Sequence, residues 1–234
     1  MEKIIYPIRI NRYLALKNYC SRRQADNFIK QKQIKINGKI AKLGDKVYEK
    51  DEVKLRAQAK NSQKQRVYLA YNKPVGIETH ASTKGQKDIK EILKFKTRLF
   101  PIGRLDKNSH GLIILTNDGR ITDKLLNPKY EHEKEYLVEV DRPLSTNFIK
   151  RISSGIRLED FYTKKCFAEQ TGKKSFRIIL TEGKKRQIRR MCEALKYNVL
   201  DLKRIRIMNI KLYDLKPGQY REIQGEELKE LTKL

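Results

Sequence analysis

Residues 57–65, "AQAKNSQKQ", are polar and carry no apolar periodicity of either helix or strand. Such a stretch buries too little surface to offset the entropy of ordering it, so no single core can run through it. It reads as a linker between two units, residues 1–60 and 66–234. With 234 residues, 38% of them apolar, the chain has material for a substantial core.

The first unit reads as a small α/β module. Asn11 is placed to cap a short helix, "RYLALKN", and Ser21 with Gln24 forms an S-x-x-Q capping box for "RRQADNFIKQKQ". Ala25, Phe28 and Ile29 fall on one face of that second helix. Asn37-Gly38, flanked by Ile34, Ile36 and Ile40, predicts a tight hairpin, and "DEVKL" closes the unit as a further strand. Residues 1–60 hold sixteen Lys or Arg against six Asp or Glu. Arg12, Lys17, Arg22 and Arg23 lie on or between the two helices. A solvated basic face would account for any one of them; as a cluster they point to phosphate binding.

Beyond the linker the pattern becomes strand-rich. "VYLAYNKP", "LIILT", "KEYLVEV", "SFRIILT" and "VLDLKRIRIMNIKL" read as strands, with helices over 121–127, 145–153 and 185–197. Asn117-Asp118-Gly119 closes one strand with a turn, and "GEELKELTKL" reads as a terminal amphipathic helix. Strands follow one another without strict βαβ alternation, which predicts an α+β domain built on a mixed or antiparallel sheet flanked by helices.

The net charge is +26, from 54 Lys plus Arg and 28 Asp plus Glu, and the sequence pI is near 9.9. That excess is the footprint of a polyanion partner, and its interleaving with folded patterns favours nucleic acid over a membrane surface. No apolar run approaches the roughly 18 residues of a spanning helix, and no secretory leader is evident, so no membrane is expected among the partners. Cys20, Cys166 and Cys192 are odd in number and scattered, which fits a reducing cytoplasm rather than a disulfide framework. His80, His110 and His132 lack metal-ligand spacing, and no glycine-rich phosphate loop is present. Neither metal nor cofactor is expected.

Three segments could carry chemistry. In "GRLDKNSHGLIILT", Gly103 permits a tight backbone, and Arg104 and Asp106 are two residues apart, so an extended segment points both to the same side. A carboxylate on a loop between rigid strands is a plausible catalytic group. A turn-capping aspartate, or one paired with Arg104, explains the segment equally well. In "EGKKRQIRRMCEALKY", Ile188, Met191, Cys192 and Leu195 share a helical face. Arg189 sits on its flank, within reach of a buried carboxylate, whereas Arg186 and Arg190 project away and suit RNA or solvent. Tyr136 in "KEYLVEV" is either core filler or a platform for a base.

Two resemblances join these segments. "RINRYLAL", "SRRQADNFIKQKQIKINGKIAKLGDKV" and "DEVKL" resemble the αL RNA-binding module first seen in ribosomal protein S-four, which implies docking on structured RNA. "YNKPVGI", "GRLDKNSHGLIILTNDG", "HEKEYLVEV" and "EGKKRQIRRMCEAL" resemble, in order, the motifs of the RsuA-type family of ribosomal RNA pseudouridine synthases. "PIGRLDK" and "HEKEYLV" look most like its RluF branch.

The second resemblance implies the pseudouridine synthase fold and cofactor-free isomerisation of uridine in ribosomal RNA. Large-subunit (23S) RNA is the expected target, with 16S RNA or a non-catalytic assembly factor as alternatives. It implies that Asp106 is the catalytic aspartate, that Tyr136 stacks on the uracil, and that Arg189 forms an ion pair with Asp106. Arg104 would hold the flipped nucleotide out of its stack. Lys73, Arg186 and Arg190 join the N-terminal bases as expected RNA contacts. A monomer acting on an RNA stem-loop, naked or within an assembly intermediate, completes the expectation.

Overall fold

The computed structural model describes residues 4–17, 19–56, 66–80, 88–89, 93, 95 and 99–233. The expected linker, 57–65, lies outside them. The chain divides into two compact units, Met1–Arg66 and Val67–Leu234.

In the first unit, β1 (Ile8–Arg9) leads into α1 (Ile10–Leu16), followed by α2 (Arg22–Lys30). β2 (Ile34–Ile36) and β3 (Lys39–Ile40) form the hairpin, and β4 (Lys46–Val47) and β5 (Val53–Leu55) follow. The β2–β3 turn has Asn37 at φ +49° and Gly38 at φ +80°, the two left-handed positions that Asn-Gly favours. β5 pairs with β2, and β1 pairs with β4. The capping box is formed: Gln24 N–H donates to Ser21 Oγ and Ser21 N–H to Gln24 Oε1. Asn11 is not a cap. The helix starts one residue earlier, at Ile10, and the Asn11 amide donates to Asp26 Oδ1 (2.8 Å), tying α1 to α2. Ile10, Leu14, Ala25, Ile29 and Ile34 are buried in one core, against which Phe28 packs.

The second unit is organised by one sheet. Its strands are β6 (Tyr68–Lys73), β7 (Phe100–Ile102), β8 (His110–Thr116), β9 (Lys134–Val140), β10 (Phe167–Gly172), β11 (Ser175–Leu180), β12 (Val199–Ile207), β13 (Ile210–Lys211) and β14 (Tyr220–Glu222). The helices are α3 (Arg120–Leu126), α4 (Phe148–Ser153), α5 (Gln187–Ala194) and α6 (Gly225–Thr232). The strand order is β10-β11-β9-β12-β8-β6-β14, with β7 on β8 and β13 on β12. Every pairing along it is antiparallel except β12 with β8, which is parallel. Two antiparallel half-sheets therefore meet at one parallel seam.

The stretch "VLDLKRIRIMNIKL" is not one strand but a hairpin. Met208 adopts φ +50° and reverses the chain between Ile207 and Ile210. On one half-sheet, Tyr136, Val138, Phe176 and Leu202 pack with Phe148, Ile152, Ile188, Met191 and Cys192 of α4 and α5. The other half is covered on both faces, as the unbroken burial of β6 shows. Among the described residues no helix is long and apolar enough to cross a membrane.

Candidate active site

The site lies at the parallel seam. The chain leaves β7 at Ile102 and turns at Gly103 (φ +78°) before entering β8 at His110. Between them Leu105 is buried in the core beside Tyr136, while Arg104 is exposed and Asp106 half-buried. The segment is fixed from several directions. Ser109 N–H donates to the Asp106 carbonyl (3.0 Å), and Gly76 N–H donates to the Lys107 carbonyl (2.9 Å). The buried Thr79 hydroxyl donates to the Leu105 carbonyl (2.7 Å) and accepts its N–H (3.0 Å). The carboxylate is thus held on a braced loop, the preorganisation that chemistry at one atom requires.

Asp106, Arg104, Tyr136, Lys134, Arg186 and Arg204 share the lining of one open pocket of about 760 Å³. The Tyr136 side chain is carried to it by β9 and is itself 9% exposed. Arg186, with φ +52°, stands at the rim just before α5, next to exposed Lys184 and Lys185. Glu182 and Gln187 brace that rim: Gln187 Nε2 donates to Glu182 Oε1 (2.6 Å), and Lys184 N–H donates to Gln187 Oε1 (3.0 Å).

Three expected roles need correction. Lys73 is not an RNA contact, for it is fully buried. Its ammonium donates to the carbonyls of Pro74 (3.0 Å) and Ile77 (2.6 Å), bracing the loop that supports Leu105 and Lys107. Burial pushes its pKa down to about 8; the charge of Asp106 pulls the other way.

Arg189 does not ion-pair directly with Asp106. Its guanidinium donates to the Asn108 (2.8 Å) and Val199 (2.9 Å) carbonyls, joining the Asp106 loop to β12. Burial and neighbouring Arg186 lower its pKa, and the charges of Asp106 and Asp201 oppose them. Arg190 is not free for RNA: it pairs with Asp160 and lies 5.4 Å from the centre of the Phe161 ring.

The expected N-terminal contacts Arg12, Lys17, Arg22 and Arg23 are exposed on the first unit. Thr79, Lys134 and Arg204 escaped the sequence reading. Thr79 and Arg204 are buried and Lys134 half-buried, and their placement depends on contacts with distant segments that no local pattern encodes.

Burial pushes Cys20 and Cys166 to about 11 and Cys192 to about 12, leaving no thiolate at neutral pH. No group of three or more His, Cys, Asp or Glu able to hold a metal occurs among the described residues. The Asp106 carboxylate, with Glu78 and Glu182 also in the lining, an aromatic ring and several cations can bind a nucleotide, stack its base and act at its sugar.

Comparison with known proteins agrees in extent and order. The family described as RNA pseudouridylate synthase matches residues 67–194, and the S4 domain matches residues 8–53. The dual-specificity RNA pseudouridine synthase RluF of Escherichia coli (strain K12) is 42% identical over 229 residues, covering 97% of this chain and 79% of that protein. The ribosomal large subunit pseudouridine synthase B of Bacillus subtilis (strain 168) is 36% identical, covering 97% and 96%. A crystal structure of a pseudouridylate synthase superposes with a TM-score of 0.71 at 29% identity, covering 96% of this chain and all of that one.

Proposed function

The chain belongs to the RNA pseudouridylate synthase family, and from that membership we propose that it isomerises uridine to pseudouridine in ribosomal RNA, with large-subunit RNA as its target. The observation that carries this reading is the braced loop that presents Asp106 in a cationic pocket beside Tyr136. The large-subunit target rests on likeness to the Bacillus protein of that name. The enzyme works as a monomer in the cytoplasm, and its substrate is a structured stem-loop.

The reaction is an isomerisation and balances without a co-reactant. The bond from C1′ to N1 breaks, a bond from C1′ to C5 forms, C5 loses a proton and N1 gains one. The uridine must first leave its stack, at a cost of a few kcal/mol. Stacking on Tyr136 returns about 1–3 kcal/mol, and Arg104, exposed at the pocket, takes the vacated place in the RNA. As the glycosidic bond breaks, positive charge develops on the ribose, and the Asp106 carboxylate stabilises it. Asp106 then either bonds to C1′ or removes the C2′ proton; both need it ionised. Lys73 and Arg189 lie within electrostatic reach of its carboxylate.

The S4 domain supplies the hold on RNA outside the pocket. Arg22 and Arg23 occupy the first turn of α2, which contains no acidic residue. Cations at the positive end of a helix dipole are mildly unfavourable, a placement that phosphate binding accounts for.

The test is tritium release from ribosomal RNA carrying 5-tritiated uridine, with wild type and Asp106→Asn. Wild type should release tritium from large-subunit RNA. Asp106→Asn should lose at least about 10³-fold in rate while binding RNA nearly as tightly, since only the charge and the nucleophile are removed. If wild type releases none from either ribosomal RNA, naked or partly assembled, the reading fails.

A further inference from the structure

Arg204 is a buried cation, 3% exposed, that the reaction described above does not use. It stands on β12 between Tyr136 of β9 and Gly111 of β8, at the centre of the seam. The register shows how it comes to face the pocket. Arg204 pairs with Tyr136 but Arg206 pairs with Glu135, so Ile205 is an extra residue in β12. In a regular strand Arg204 and Arg206 would share a face; a bulge between them puts them on opposite ones. Arg206 accordingly joins Glu135 (2.5 Å) and Glu133 (2.9 Å) on the face away from Tyr136, while Arg204 remains with Tyr136.

On the pocket side its guanidinium links three parts of the site. Nε donates to the Leu112 carbonyl of β8 (2.7 Å), and Nη1 reaches the Arg104 carbonyl of the catalytic loop (3.5 Å). The guanidinium carbon lies 6.0 Å from the centre of the Tyr136 ring. Nη2 is buried without an acceptor, and no carboxylate pairs with Arg204 among the described residues. Lys73 and Lys134 feel its charge as a like charge. An unpaired buried cation is costly, and a purely structural position would have gained by an apolar replacement.

We infer that Arg204 is a positioning residue for the isomerisation: its planar fork sets the Asp106 loop against the Tyr136 ring. The inference rests on the isomerisation reading above. Lysine in its place keeps the charge but not the fork, so geometry and charge can be separated.

The experiment compares wild type, Arg204→Lys and Arg204→Gln under saturating ribosomal RNA. It measures the single-turnover rate of tritium release, the Kd for the same RNA and the melting temperature. Both variants should fold and bind RNA within about threefold of wild type, yet lose about 100-fold in rate, the scale of a misplacement near 1 Å. A Lys variant that restores the wild-type rate would show that only charge matters and overturn the inference. So would loss of folding in both variants, or a loss of rate matched by weaker RNA binding. If wild type releases tritium and the variants equal it, only this inference falls; if wild type releases none, the isomerisation reading falls first.

Discussion

Lys73 is where the pocket's electrostatics can be measured one residue at a time. Its native pKa of about 8 lies below the ordinary 10.5 of the unfolded chain. Between those values the unfolded chain binds the additional proton, so folding stability rises with pH across that window. Below pH 8 both states carry the proton and the cost of burying the cation is borne in full. Relative to a Lys73→Met variant, wild type should therefore gain stability between pH 8 and 10.5, by on the order of 3 kcal/mol. Denaturant unfolding at a series of pH values reads this directly. Nitrogen NMR of the Lys73 ammonium should titrate near 8 and move lower in Asp106→Asn, which removes the charge that favours the protonated form. An unchanged midpoint in that variant would mean that the two groups do not interact.

At the scale of elements, the seam depends on Gly111. It adopts φ +101°, and a Cβ there would overlap the Arg204 carbonyl oxygen and stand 2.7 Å from the Arg204 nitrogen. Neither partner is a flexible side-chain end. Gly111→Ala should cost at least about 2 kcal/mol, seen as a lower midpoint in urea, and should slow tritium release in the molecules that still fold. Much at this scale was legible beforehand. The capping box at Ser21 and Gln24, the Asn37-Gly38 hairpin and the buried face Ile188, Met191, Cys192 are local patterns, and each formed as its residues dictate. Asp106, Arg104 and Tyr136 were found from motifs and share one pocket. What failed to show depends on distant partners. Lys73 reads as a surface cation until the burial of β6 on every side is known. Arg189 reads as the partner of Asp106 until the carbonyls of Asn108 and Val199 come within its reach. The bulge that separates Arg204 from Arg206 is a property of pairing, invisible in "KRIRI" itself.

At the scale of the whole molecule, a net charge of +26 and the Asp106 carboxylate on its braced loop divide the proposed work between holding RNA and acting on it. Arg22→Ala and Arg23→Ala should each lower the slope of log K against log salt by about 0.7–0.9, measured by RNA binding from 50 to 300 mM salt. The rate at saturating RNA should stay within about twofold; a large fall in that rate would place these arginines in the catalytic step instead. The seam has a further consequence, in time rather than in space. β8 and β9 precede β12 in the chain, yet they are not neighbours: β12 lies between them. A ribosome making this chain delivers Asp106 and Tyr136 long before the strand that brings them together. The nascent protein thus carries Asp106 and Tyr136 before the strand that joins them exists, and the pocket assembles only once β12 has been made.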